Sequence, residues 1–234
     1  MGNANVLEVE GLSVRFGAHR IIDDLTFSVR ETSTLAIIGP NGAGKTVLFK
    51  ALIGAVAREG AVRWAPGTKI GYVPQKLDLE RDLPITGLDL LRAKADVSKV
   101  SVGEVERALD LVNLPRDVAS EPIGALAGGH FQRLLLAFAM MGHPTVLLFD
   151  EPTAGVDEPG EADIYATIHR VQERERLTLL LISHELSLVN RYATDVLCLS
   201  RRRPCFGPPV EILTPERLQE VFGTAAKFHL HDGV

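Results

Sequence analysis

TLAIIGPNGAGKTVLFKALIGA, residues 34–55, decides how the rest of the chain is read. Its opening TLAII is a short, unbroken β-rich apolar run, the pattern of a strand buried on both faces. VLFKALIGA at the other end has helical spacing, and between the two GPNGAGKT, Gly39 to Thr46, matches G-x-x-x-x-G-K-[ST]. A strand, a glycine-rich loop and a helix in that order let backbone N–H groups turn inward around a chain of phosphates. Lys45 is expected to reach the β and γ oxygens, and Thr46 to place its hydroxyl on Mg2+. A glycine-rich turn that merely held a lysine would need neither the strand nor the helix.

A phosphate loop by itself hydrolyses nothing, so a carboxylate pair is expected at the end of a neighbouring strand. TVLLFDEP, residues 145–152, supplies one. Asp150 ends the apolar run and is placed to serve the metal; Glu151, one residue on, is the candidate general base for an attacking water. Two adjacent acids after a strand are more often a plain strand end, and the phosphate loop is what changes that reading. LLLISHE puts His184 at the end of another buried strand, where a parallel sheet gathers its ligands, so it is a candidate contact to the γ-phosphate and the water. Gln75, after GYVP, stands where the core gives way to a helical stretch and is a candidate contact to Mg2+.

Working outward, VLEVEGLSVRF and IIDDLTFSV alternate apolar and polar residues around Gly17, Ala18 and His19, as half-buried strands joined by a turn do. From Pro84 to Asn113 the chain reads as helix: TGLDLLRAKA, then SVGEVERALDLV with Ser101 as N-cap and Glu104 three residues on. Buried strands return at TVLLFD, LTLLLIS and DVLCL, separated by helical patterns at GEADIYATIHRVQER and ELSLVNRY. TPERLQEVFG places Thr214 as N-cap with Pro215 in the first turn. The expectation is an α/β fold: a P-loop NTPase core with a mostly parallel sheet, an N-terminal antiparallel β subdomain and an inserted helical subdomain. All 234 residues form one domain on this reading, with 1–80 and 143–234 as core and 81–142 as the helical insertion.

The chain is 46% apolar, yet its longest apolar runs fall far short of the roughly 20 residues a membrane helix needs, so a soluble chain is expected. A formal charge of -5 with mixed signs argues against a general nucleic-acid footprint; the basic cluster Arg201 to Arg203 reads as a solvated turn before Pro204. Cys198 and Cys205 are too few for a disulfide framework, and a reducing compartment is expected. His229 and His231 near the end read as tail residues rather than a metal site.

These pieces, in this order, resemble the ATPase subunits of ATP-binding-cassette systems over nearly the whole chain. In that family's terms GPNGAGKT with Val47 looks like the Walker A loop, Gln75 the Q-loop residue and LAGGH, Leu126 to His130, the signature. LLFDE looks like the Walker B strand, AGVD with Asp157 the D-loop, and His184 the switch histidine. The resemblance implies that Gly39, Pro40, Asn41, Gly42, Ala43, Gly44, Lys45, Thr46 and Val47 hold ATP, and that Thr46, Gln75 and Asp150 hold Mg2+. It also implies that Phe16 stacks on adenine, with simple edge packing as the rival reading. Two subunits of the family pack head to tail, so Ala127, Gly128, Gly129 and His130 would complete the partner's ATP site. Physically, Gly128 and Gly129 open the helix FQRLLLAFAMM, whose first amides and dipole favour an anion.

The tail CLSRRRPCFGPPVEILTPERLQEVFG, with DEPTAGVD and HLH, looks most like the zinc, manganese and iron-chelate uptake branch. That implies a separate permease docking on the helical subdomain, a substrate-binding protein, and a peripheral place on the cytoplasmic face of the membrane. The chain departs from the family pattern at four points: Ala127 replaces Ser, His130 replaces Gln, Val47 replaces Thr or Ser, and Phe138 replaces Arg. A lost hydroxyl contact to a charged phosphate is worth roughly 1.5–3 kcal/mol, which predicts a softened closed dimer in a working ATPase. Two other classes stand as alternatives: a soluble cassette ATPase acting on nucleic acid or ribosomes, and a regulatory ATP-binding protein of low turnover.

Overall fold

The computed structural model describes residues 4–75, 84–101, 103–153, 156, 158–200 and 204–223. Contacts divide the chain into two compact units, Met1–Thr68 with Thr178–Val234, and Lys69–Leu177. The first unit begins with β1 (Asn5–Phe16), β2 (His19–Arg30), β3 (Thr34–Ile38), α1 (Lys45–Leu52) and β4 (Glu59–Trp64). The second holds β5 (Ile70–Val73), α2 (Gly87–Ser98), α3 (Gly103–Leu111), α4 (Arg116–Ala119), α5 (Gly128–Met140), β6 (Val146–Asp150) and α6 (Glu158–Glu175). The chain then returns to the first unit with β7 (Thr178–Ile182), α7 (Leu186–Tyr192), β8 (Asp195–Cys198), β9 (Cys205–Gly207), α8 (Pro209–Ile212) and α9 (Pro215–Phe222).

In the first unit β1 lies between β2 and β4, antiparallel to both. Leu7 and Val9, and past a register shift Leu12 and Val14, are buried with more exposed residues between them, so the alternation read from VLEVEGLSV is present but interrupted once at Gly11. The hairpin closes at Phe16 opposite His19, with Gly17 at φ 58 in the turn. Beside this layer β3 runs parallel to both β7 and β8. All five residues of β3 and all five of β7 are buried, so each strand is apolar on both faces, as a helix-covered parallel sheet requires. α7, α8 with the Leu213 that follows it, and α9 supply Val189, Ile212, Leu213, Leu218 and Val221 to the core against Ala36, Ile38, Val196 and Cys198. Thr214 caps α9 by accepting the Arg217 N–H at 3.3 Å, as its position before Pro215 suggested.

Cys198 and Cys205 are directly opposed on the antiparallel pair β8–β9 and form a disulfide, with Cα atoms 4.9 Å apart. The sequence alone does not announce this single bridge. The reason is β9: a three-residue strand has too little sequence to announce itself, and without it nothing places the cysteines opposite each other.

In the second unit β5 runs parallel to β6, and β6 is again wholly buried. α2 carries a full capping box: Thr86 accepts the Asp89 N–H at 3.1 Å, and Asp89 accepts the Thr86 N–H at 3.0 Å. Arg133 of α5 donates to the carbonyls of Val112 at 2.8 Å and Asn113 at 3.1 Å, just past the end of α3, and also pairs with Asp163 of α6. One guanidinium thereby fixes the helix that begins at Gly128 to two neighbours. The Lys94 ammonium of α2 stands over the Phe138 ring, 5.0 Å from its centroid.

Candidate nucleotide site

The phosphate loop begins where β3 ends. β3 and β7 are in parallel register with Ile37 opposite Ile182, and the Ser183 N–H donates to the Ile37 carbonyl at 3.2 Å. On the other side Ile38 pairs with Cys198, and the Leu199 N–H donates to the Ile38 carbonyl at 2.8 Å. Gly39 therefore leaves the sheet between the ends of β7 and β8, the edge where parallel sheets collect ligands. Its φ is 152, and a Cβ there would lie 2.2 Å from the Leu199 carbonyl oxygen, so no other residue fits. Gly44, the N-cap of α1, has φ 96, and a Cβ on it would come within 2.8 Å of Ile21 Cγ2.

Lys45, the first residue of α1, is only 6% exposed. Its Nζ donates to the Gly39 carbonyl at 2.9 Å and to the Pro40 carbonyl at 3.4 Å, so the ammonium is held over the loop. A buried cation there, beside the amides of a helix start, is an arrangement suited to a polyanion. Asn41 and Gly42 are exposed, Thr46 and Val47 half-buried. His184 is exposed one residue past Ser183, at the same strand edge as the loop. Phe16 is 49% exposed at the end of β1; an aromatic so open is not packed away, which leaves its face available to a flat ligand.

In the second unit Asp150 closes β6 and is 1% exposed. Its charge reaches Tyr72 on the adjacent strand: burial first, and then the Asp150 carboxylate, push the phenol up to about 12, so Tyr72 stays protonated at physiological pH. Glu151 follows with φ 50, a left-handed conformation that a non-glycine residue adopts only at some cost. The Gln75 Nε2 donates to the Glu151 carboxylate. Gln75 and Glu151 are 76 positions apart in sequence, and their pairing ties the second residue past β5 to the first residue past β6.

α5 starts at Gly128, as read from LAGGH. Ala127 is its N-cap and makes no side-chain cap bond, so the first amides of the helix are covered by no side chain of the capping residue. Ala127 and His130 are not buried, and a Cβ at Gly129 would meet nothing within 4 Å. Asp157 and the preceding Ala154 and Gly155, like His229, His231 and Arg201 to Arg203, lie outside the described residues. The sequence reading gave no role to Tyr72 or Arg133. Arg133 stood in plain view at the end of LAGGHFQR, but only the carbonyls left behind by α3 say what it does.

The fold and this loop define a P-loop nucleoside triphosphatase. More narrowly, the ABC transporter family model matches residues 22–154, and the chain belongs to that family as an ATP-binding, ATP-hydrolysing subunit that works with a transmembrane component. Among its relatives is the zinc import ATP-binding protein ZnuC of Roseobacter denitrificans, 37% identical over 94% of this chain and 85% of that protein. A "Probable metal transport system ATP-binding protein" of Thermotoga maritima is also 37% identical, over 93% of this chain and 90% of its own length. Among solved structures, "a putative metal-chelate type ABC transporter" in an inward-facing conformation superposes with a TM-score of 0.83 at 25% identity, covering 93% of this chain and 89% of that one. Among the described residues no helix is long and apolar enough to cross a membrane.

Proposed function

We propose that the chain powers uptake of a divalent metal, zinc or manganese, as the ATPase of an importer whose permease is a separate protein. The support for the cargo is the pair of relatives named for zinc import and metal transport. The support for the chemistry is one observation above the rest: Glu151, next to buried Asp150, holds a left-handed backbone and takes a hydrogen bond from Gln75.

On this reading ATP lies along Gly39 to Val47 with its adenine on Phe16, and Lys45 transfers its hydrogen bonds from the Gly39 and Pro40 carbonyls to the β and γ phosphates. Thr46, Gln75 and Asp150 would hold Mg2+: a hydroxyl, an amide carbonyl and a carboxylate are the hard oxygen donors that cation selects. The amide that gives its N–H to Glu151 keeps its carbonyl oxygen for the metal. When bound, the ion draws charge from the phosphate oxygens. Glu151 takes the proton from the attacking water, and His184 orients that water against the γ-phosphate. Ala127, Gly128, Gly129 and His130 meet the ATP of a second copy; the amides at the start of α5, which the Ala127 side chain does not cap, carry that contact without a serine. The permease docks on the helices between residues 81 and 142, which makes the chain peripheral at the cytoplasmic face, and a substrate-binding protein delivers the metal.

Zinc and manganese accumulation in cells carrying Lys45→Ala in place of the wild-type chain tests the cargo. Loss of accumulation for one of these metals is the expected result. Unchanged accumulation of both, with ATPase activity abolished in the purified variant, would sink the metal-uptake reading and leave the ATPase standing.

A further inference from the structure

The disulfide lies where it can act on the phosphate loop. Cys198 is the last residue of β8 and is fully buried; Cys205 opens β9 and is half-buried. Leu199, next to Cys198, is hydrogen-bonded to Ile38 at 2.8 Å, and its carbonyl oxygen closes against Gly39, the first residue of the loop. Leu199, Ser200 and Pro204 form one wall of a cavity of about 390 Å³ whose other walls include Ile21 and Ile22 of β2 and Ala43 of the phosphate loop. β9 itself is three residues long. β8 is held to β3 by its backbone ladder, and the sulfur bridge pins β9 to the other side of β8, at the residue next to the Leu199 carbonyl that closes against Gly39.

We propose that Cys198 and Cys205 form a thiol–disulfide exchange site for low-molecular-weight disulfides of the glutathione type, and that its redox state sets the order of the phosphate loop. In the dithiol the more accessible Cys205 thiolate attacks one sulfur of the disulfide RSSR, forms a Cys205–S–S–R bond and expels RS⁻. The Cys198 thiolate then displaces the second RS⁻ from Cys205. The two cysteine sulfurs lose two electrons, RSSR gains them, and the two cysteine protons end on two RSH. With the bond closed, β9 is pinned to the end of β8 beside Leu199; with it open, β9 frays, the end of β8 loses its outer neighbour, and the Leu199 stop against Gly39 rests on the Ile38 hydrogen bond alone. The consequence for nucleotide rests on the ATP-binding reading of the loop.

The test is to poise the purified chain in reduced or oxidised glutathione and make three measurements: alkylated thiols counted by mass after denaturation, amide hydrogen exchange of a peptide spanning residues 39–45, and affinity for a fluorescent ATP analogue with Mg2+. Two thiols in the reduced buffer and none in the oxidised one are expected. Exchange in the phosphate loop should rise by about tenfold on reduction, and the Kd for nucleotide should rise several-fold. Cys205→Ser should match the reduced wild type in both buffers. Two free thiols in both buffers, or loop exchange that ignores the redox state, overturns the proposal. Redox-dependent exchange with no nucleotide binding in either state would leave the site standing and refute the nucleotide reading instead.

Discussion

Glu151 holds a φ of 50 directly after a strand whose five residues are all buried, and its carboxylate takes the Gln75 amide. Strain of this kind persists only where the surroundings enforce it. Glu151→Gln keeps the shape and the possibility of a hydrogen bond but removes the base, so kcat for ATP should fall by about 10²-fold or more while ATP affinity is retained; steady-state hydrolysis and nucleotide titration measure both. Gly39 invites the opposite kind of change. Gly39→Ala drives a Cβ into the Leu199 carbonyl, 2.2 Å away, and the expected result is loss of ATP binding together with a lower Tm. At this scale the sequence was most legible where chemistry is carried by contiguous residues, as in GPNGAGKT and DE. It was silent on Tyr72, Arg133 and the Cys198–Cys205 bond, because each depends on a partner brought close only by folding.

Among the elements, α2 depends on its capping box. Thr86→Ala removes the acceptor for the Asp89 N–H and should cost about 1 kcal/mol in a denaturation experiment. α3 is tied by a charged cluster: Arg107 reaches Glu104 at 3.0 Å and Glu175 at 3.3 Å, and His143 touches both Arg107 at 3.0 Å and Glu104 at 3.1 Å. The Arg107 hydrogen bond, working against partial burial, holds the Glu104 carboxyl below its ordinary 4.5. A depressed carboxyl adds stability that is present above pH 4.5 and fades as the pH drops through the lowered value. Glu104→Gln should therefore flatten the stability-against-pH curve on the acid side; an unchanged curve would remove Glu104 from the account. The long alternating or wholly apolar segments, β1, β2, β3, β6 and β7, were legible because burial stamps a period on them. β4, β9, α4 and α8 were not, being three to six residues long with half-exposed positions and glycine or proline among or beside them.

For the molecule as a whole, the first unit is assembled from two stretches of chain separated by the entire second unit, and the ring of residues 198–205 is its one covalent cross-link. Closing a ring of eight residues is worth about 2.5 kcal/mol through the unfolded chain, so reduction should lower the midpoint of denaturation by a corresponding amount, read in urea with and without reductant. The α/β class and the parallel core followed from buried apolar strands alternating with helical patterns, and the antiparallel N-terminal layer from the period-two segments around Gly17, Ala18 and His19. Magnesium-dependent ATP hydrolysis by the purified chain, wild type against Glu151→Gln, tests the central claim most directly. The account predicts turnover in the wild type and a variant that binds ATP without hydrolysing it; equal turnover in both, or none in either, would contradict it.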